Sequence, residues 1–327
     1  GSRSKGPPLS SSPAKPFASS ADTEQKTATL DEIAPGVLAY TAEGDPNVGA
    51  VVGRDGVVAI DARATPTAAK PWLEELRRIT DKPVRYLVLT HYHAVRVLGA
   101  AAFGAQEVVA SETTRDLILE RGRQDWESEF RRMPRLAEDP GSVPGLTMPT
   151  ITFRDRLRLH LGDRDVELRQ LGRGHSAGDI GVWLPDERIL FAGDLVEAEA
   201  APYMGDAYVD EWRTTTLDAV AALGARALVP GRGAVVRDDA VGEAIAETRA
   251  FLSGLRDNVA RARKGGAGLK ATFDAVHEAM APRYGDWPIF EHCLPFNVKR
   301  VVDELDGREP EIWTAETDAR IWSELQS

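Results

Sequence analysis

The sequence predicts a large α/β domain followed by a helical extension. Two observations carry this. From Thr27 onward, short apolar runs bounded by turn residues alternate with longer segments of helical period, which is how strands interleaved with helices read. After about residue 240 the strand-like runs stop and long amphipathic patterns take over. The expected organisation is therefore a tail at 1–24, a main domain over 25–240 and a helical extension over 241–327 that packs on it.

The first two dozen residues, GSRSKGPPLSSSPAKPFASSADTE, are rich in Ser, Pro and Ala and begin with Gly-Ser. They read as a vector-derived scar and a disordered tail, without the apolar centre of a signal peptide. Strands are expected at 37–44, 48–53 and 56–61. A helix should follow at 66–79, where Pro66 suits a first turn and Ala69, Trp72, Leu73, Leu76 and Ile79 recur at helical spacing. VRYLVLT (84–90) reads as a buried strand running into HYH. Further strands fit EVVAS, ITFRDRLRLH with VELRQLG, DIGVWLP, ILFAGD and ALVPG (227–231), and helices fit 112–122 and 213–223. The stretch 136–150, with Pro140, Pro144 and Pro149, reads as an irregular surface excursion. His160 alternates with leucines and faces solvent in this reading, and His277 belongs to a surface or packing position of a helix.

Composition narrows the function classes. The chain has 327 residues, 43% of them hydrophobic and 28% charged, which suits one sizeable core plus an appendage. A single cysteine, Cys293, excludes an internal disulfide and any cysteine-rich zinc module, so metal ligands must come from His and carboxylates. It fits a reducing, cytoplasmic setting. The net charge of −11 argues against nucleic acid or an anionic membrane surface as partner, because both are bound by clustered Lys and Arg. No apolar run approaches the roughly 20 residues that cross a bilayer. A small molecule is the expected partner, and homo-oligomerisation is left open.

The chemistry-bearing residues lie at strand ends. His91 and His93 follow a buried strand, and a spacing of two in extended chain puts both imidazoles on one side, where they can grip a metal. GRGHSAGD (172–179) places His175 in a Gly-rich loop between strands, and FAGD (191–194) ends a strand in Asp194.

The series THYH, GHSAGD, FAGD and VPGRG, in that order over residues 27–235, resembles the metallo-β-lactamase superfamily. The resemblance implies an αββα sandwich of the metallo-β-lactamase type, here with a C-terminal helical extension. It implies His91, His93 and His175 as ligands of a first metal, with Asp194 as the carboxylate that usually bridges to a second. One divalent ion is expected, zinc by default, with iron also suited to such ligands. The family motif HxHxDH departs here to Val95 and Arg96, and the family's later histidine is replaced by Arg232, so every ligand exclusive to a second metal is absent.

Selective loss of one site favours a working mononuclear centre. Two guanidiniums carry about the charge of one divalent cation and supply fixed donors, so Arg96 and Arg232 are expected to face the pocket and hold an anion or carbonyl oxygen, with Arg173 beside them. The competing reading has Arg96 pairing with Asp194 and closing the pocket. Asp194 with Arg96 and Arg232 form the expected catalytic set. Tyr203 and Tyr208 from the loop 201–212 and His292 from the aromatic stretch 287–295 are expected at the substrate. That stretch, flanked by Pro288 and Pro295, reads as a non-helical crossing over the metal edge. Asp61 and Asp179 are expected to stabilise loops, with Asp179 orienting a ligand, and Cys293 is expected to be a buried thiol. Three functions follow: a mononuclear hydrolase of an ester, thioester, lactone or amide of an anionic small molecule, an iron-dependent sulfur-compound oxygenase, or a non-catalytic member that binds an anionic ligand.

Overall fold

The computed structural model describes residues 16–327. Its first sheet has seven strands in chain order: β1 (Thr29–Ala34), β2 (Val37–Thr41), β3 (Val48–Gly53), β4 (Gly56–Ile60), β5 (Val84–Val88), β6 (Glu107–Ser111) and β7 (Ile151–Phe153). Pairing is antiparallel up to β4 and parallel from β4 to β7. Parallel pairing needs crossovers. They are α1 (Pro66–Ile79) between β4 and β5, a short α2 (Ala94–Val97) between β5 and β6, and α3 (Glu112–Arg132) between β6 and β7.

The second sheet is built from β8 (Arg156–His160), β9 (Asp165–Arg169), β10 (Gly181–Leu184), β11 (Ile189–Phe191), β12 (Ala227–Val229) and β13 (Val236–Arg237), in the order β13-β12-β11-β10-β9-β8. Its one parallel pair, β11 with β12, is bridged by α4 (Val209–Glu211), a π turn (Trp212–Thr216) and α5 (Leu217–Ala222). The expected single strand over 151–160 is split, β7 belonging to one sheet and β8 to the other.

Alternation along the strands explains the layering. In β2, Val37 and Ala39 join the core between the sheets, where Val58, Val88, Val182 and Phe191 also lie. Leu38 and Tyr40 point the other way, into the layer that holds Trp72 and Leu76 of α1 and Leu117 and Ile118 of α3. A strand buried on both faces must be covered by helices on its outer side. Each fully buried large apolar side chain is worth about 1.5–3 kcal/mol relative to exposure. The helix starts are capped: Thr65 accepts from the Ala68 N–H at 3.0 Å, and Ser111 accepts from the Thr114 N–H at 3.0 Å.

The outer face of the second sheet is covered by the C-terminal helices α6 (Asp239–Lys264), α7 (Leu269–Tyr284), α8 (Phe290–Leu305) and α9 (Ala315–Gln326). Trp183, Leu190 and Leu228 of the sheet share a core with Phe251, Leu255, Phe290 and Phe296 of these helices. The result is the αββα sandwich with its helical extension.

Several expectations change. The stretch at 287–295 does cross the metal edge, but as the start of α8, a helix that holds Pro295 in its second turn. Burial of Leu294, Phe296, Val298 and Val301 outweighs the roughly 3 kcal/mol that an interior proline costs. The helix expected at 112–122 continues to Arg132. From Pro16 onward the expected disordered tail is ordered: Phe17 is buried with its ring 5.5 Å from that of Trp322, whose indole N–H donates to the Pro16 carbonyl. Residues 1–15 of that tail lie outside the described residues. His160 is exposed on β8 and paired to Asp165, and His277 pairs with Glu291 on the surface. No helix among the described residues is long and apolar enough to cross a membrane.

Candidate metal centre

The end of β5, the loop carrying His175 and the end of β11 converge at one edge of the sandwich. There His91, His93 and His175 are buried with ring centroids 4.6–4.9 Å apart and ring planes inclined at 72–86°. One ring nitrogen of each lies within 4.8 Å of those of the other two.

The hydrogen bonds around the rings decide which nitrogens remain free. The Thr90 hydroxyl donates to Asp61 Oδ2 at 2.8 Å, so toward His91 Nδ1, 3.2 Å away, it can only accept. The proton of His91 is thereby assigned to Nδ1, and Nε2 keeps a bare lone pair. That Nε2 is buried without a hydrogen-bond partner, 3.3 Å from Asp194 Oδ2. For His93 the order of nitrogens is reversed. Asp206 Oδ2 accepts from the Tyr92 hydroxyl at 2.6 Å and from His93 Nε2 at 2.7 Å, which leaves Nδ1, 3.9 Å from Glu129 Oε1, as the nitrogen a cation can take.

A lone pair facing a carboxylate oxygen at 3.3 Å with nothing shared between them is costly unless a cation sits there. Three imidazoles, two of them oriented through their remote N–H by Thr90 and Asp206, are the donor set and the outer support of a zinc-class site. The residues present fit one divalent ion held by His91, His93 and His175, with Asp194 as neighbouring carboxylate.

Charge at the centre follows from burial and neighbours. Burial, then His175, push His91 well below its ordinary value, so it is neutral. Burial would lower His93 as well, but the carboxylates of Asp125, Asp206 and Glu129 outweigh it and push His93 up to about 10, so without a metal it is an imidazolium and a bound cation must displace its Nδ1 proton. Asp194 is held well below the usual carboxylate range because Arg96, then His175 and His91, overcome the cost of burying it. Next to it, burial and Asp194 raise Glu197 well above its ordinary value.

Arg96 lies beside this centre with 1% of its surface exposed. Its Nε donates to Asp194 Oδ2 at 3.1 Å, and Nη2 donates to Asp194 Oδ1 and the Gly231 carbonyl, each at 2.7 Å. Nη1 donates to the Asn47 carbonyl at 2.9 Å and to Asp61 Oδ2 at 3.3 Å. A guanidinium has five N–H groups, and these five bonds engage all of them. The close approach depends on Gly231, where a Cβ would run into Asp194 Oδ1.

A family model described as the metallo-beta-lactamase superfamily matches residues 41–232. The chain belongs to the metallo-beta-lactamase superfamily. It is 28% identical over 203 residues to a metallo-beta-lactamase type 2 of Bacillus cereus, an alignment covering 60% of this chain and 70% of that protein. It is 24% identical over 241 residues to a linear primary-alkylsulfatase of Pseudomonas sp. (strain ATCC 19151), covering 63% of this chain and only 45% of that one. A solved structure of a double mutant of the sec-alkyl sulfatase PisA1 superposes with a TM-score of 0.68 at 17% identity, covering 85% of this chain and 50% of its own. The chain thus spans about half the length of these two alkylsulfatases.

In this metallo-beta-lactamase edge, Asp194, Arg232, Tyr203 and His292 line one small chamber with His93 and His175. Arg96 is at the centre but has no N–H left for an anion, so it serves as a fixed cation against Asp194 and not as a substrate donor. Arg173 and Tyr208 lie outside the chamber. The Arg173 guanidinium sits 4.1 Å over the Tyr208 ring and is bound to Glu211, and the Tyr208 hydroxyl donates to Glu309. Asp179 accepts from the Ser176 N–H and hydroxyl and so shapes the His175 loop, while Asp61 holds Thr90 and Arg96. Cys293 is buried on the chamber wall.

Several residues of the site carry no legible signal in the sequence. Asp125, Ser128, Glu129 and Arg132 form a buried stripe on α3, spaced three and four apart. Asp125 and Glu129 accept the Ala94 and Val95 N–H groups at 2.6 and 2.9 Å, which anchors the turn after His93. Polar residues at that spacing read as a solvent face. Asp206 sits within the loop 201–212, where nothing in the pattern separates it from a surface carboxylate.

Proposed function

We propose that the chain is a mononuclear metal-dependent hydrolase acting on an ester, thioester, lactone or amide of an anionic small molecule, with zinc as the ion. The observation that carries this reading is the contrast between two halves of the centre. Three histidines converge on one point, two of them oriented by hydrogen bonds at their remote nitrogens, whereas the neighbouring position is filled by the Arg96 guanidinium with every N–H engaged. One half asks for a cation and the other already has a permanent one.

A bound zinc-class ion supplies Lewis acidity and brings the pKa of a water toward neutrality. The protein's own groups do the rest. Arg96 keeps Asp194 ionised and immobile, so that its Oδ2, facing His91 and His175 at 3.3 and 3.8 Å, can accept a proton-bearing group at the centre. Arg232, with Nη1 3.8 Å from Asp194 Oδ1, supplies donors for a developing oxyanion. The buried Tyr203 and Met133, with the half-buried Ile289, limit water.

The relatives named as β-lactamases and alkylsulfatases make β-lactam amides and alkyl sulfate esters part of the substrate panel. The test is elemental analysis of the loaded full-length chain together with turnover of that panel. One zinc per chain and chelator-sensitive hydrolysis of an anionic member are expected. Two ions per chain, iron with oxygen consumption, or metal-free protein whose stability ignores chelators would overturn the proposal.

A further inference from the structure

Lining the same chamber as the histidines is a set of groups rich in hydrogen-bond donors, Arg132, His292 and Arg232. Arg132, 2% exposed, comes from the buried stripe of α3. Among the described residues its Nε donates to Ser128 Oγ at 3.3 Å and its Nη1 to His292 Nε2 at 3.5 Å, and its Nη2 makes no hydrogen bond. Its faces are occupied: the rings of Phe296 and Tyr203 have centroids 4.8 and 5.5 Å from the guanidinium carbon. Its one close carboxylate is Asp318, 3.4 Å from Nε.

His292, 3% exposed, accepts from Arg132 at Nε2, which assigns its proton to Nδ1, and that Nδ1 is buried with no partner. Arg232 donates through Nε to the Gly44 carbonyl at 3.1 Å, and among the described residues neither of its Nη atoms makes a hydrogen bond. Asp194, its nearest carboxylate, is already held by Arg96. A buried donor left unsatisfied costs about 1–3 kcal/mol. An oxyanion offers acceptors to these groups, which line one chamber, and charge-assisted bonds to guanidinium are the strong kind.

We infer that Arg132, His292 and Arg232 form an anion-binding subsite beside the metal centre that takes an oxyanion group of the substrate, a carboxylate or a sulfate. This rests on the hydrolase reading above and names the group its substrate must carry. Arg132 and His292 are binding residues here, and the Ser128–Asp318 pair positions the guanidinium.

The chamber has a volume of about 20 Å³, room for about one water-sized guest, so it admits one oxygen of the anion while the rest of the group stays on the side of the adjoining cavity. It adjoins a cavity of about 300 Å³, and Met133, Ile289 and His292 line both. The anion enters from that cavity past Met133 and Ile289. The cavity wall sets Asp22, Glu43, Asp286 and Glu291 against Lys26 and Arg135, and Arg135 is clamped by Asp22 and Asp45. The attraction for an anion therefore lies inward.

The test is calorimetric titration of the full chain, zinc-loaded and chelated, with sodium sulfate and with sodium acetate at balanced ionic strength. Saturable binding of one of the two is expected in both forms, and which one binds names the oxyanion. The paired variant Arg132→Met with Asp318→Asn, which removes both charges, should weaken binding at least tenfold, and His292→Leu several-fold. Arg173→Met, outside the chamber, should change it less than twofold. If the paired variant does not fold, His292→Leu decides. Failure of the parent to bind either anion, unchanged affinity in the chamber variants, or equal loss in Arg173→Met would overturn the inference. Metal content of the same samples separates the two proposals: zinc without anion binding removes only the subsite, and anion binding without zinc removes only the hydrolase.

Discussion

Arg96 is the residue whose removal should cost most. Arg96→Ala leaves Asp194 and Asp61 buried beside the Asn47 and Gly231 carbonyls, four acceptors that lose the donor they share. Removing one partner of a buried charge pair costs about 3–5 kcal/mol. At about 2.1 cal/mol/K per residue, a chain of 327 residues unfolds with an entropy of about 0.7 kcal/mol/K, so the melting temperature in chelator should fall by about 4–7 °C. The gap is lined with hard oxygen ligands, and a divalent cation should refill it. At a hundred times its dissociation constant such an ion returns about 2.7 kcal/mol, or about 4 °C. Differential scanning calorimetry of parent and variant, in chelator and in excess zinc, reads both effects. The parent gains only from the three-histidine site, so zinc must raise the variant by more than it raises the parent. A variant that melts within 1 °C of the parent in chelator, or an equal zinc gain in both, would refute the idea that a guanidinium stands in for a second ion.

Asp206→Asn should weaken zinc binding about 10–100-fold, measured by competition with a chromophoric chelator, because the amide no longer fixes His93 with Nδ1 left for the ion. Unchanged affinity would mean that the Asp206 bond does not orient the ligand. Burial pushes the Cys293 thiol up to about 12. A raised thiol pKa means a smaller thiolate fraction, so at pH 8 the native chain should resist a thiol-specific disulfide reagent that labels it at once in denaturant; rapid labelling of native protein would contradict this burial.

The arrangement also explains how one sandwich edge can hold two opposite chemistries within a few ångströms. Asp194 is the hinge between them. On one side its Oδ2 faces His91, and on the other its carboxylate is gripped by Arg96. A permanently charged guanidinium cannot be lost to chelation or pH, as an ion can. The geometry tolerates no bulk at Gly231, so the Arg96 guanidinium and the glycine that admits it go together.

What the sequence by itself determined was the frame. Period-two strands, the capped helix after Pro66 and four motifs at strand ends specify a sandwich edge that gathers His91, His93, His175 and Asp194, because strand ends and Gly-rich loops place residues through local backbone geometry. The same letters place Val95, Arg96 and Arg232 where the family motif carries other residues. What only the tertiary structure decided was the direction of each donor. Arg96 turns all five N–H groups onto the protein while Arg232 keeps donors for the chamber, and no local pattern distinguishes the two. Asp125, Glu129 and Arg132 lie at the spacing of a solvent-facing helix stripe, yet face inward because α3 packs its polar side on the turn after His93. Hydrogen-bond partners distant in the chain, such as Asp206 for His93 and Asp318 for Arg132, exist only once the layers close. Side-chain direction there is set by burial and pairing across more than a hundred residues, which one-dimensional periodicity does not encode.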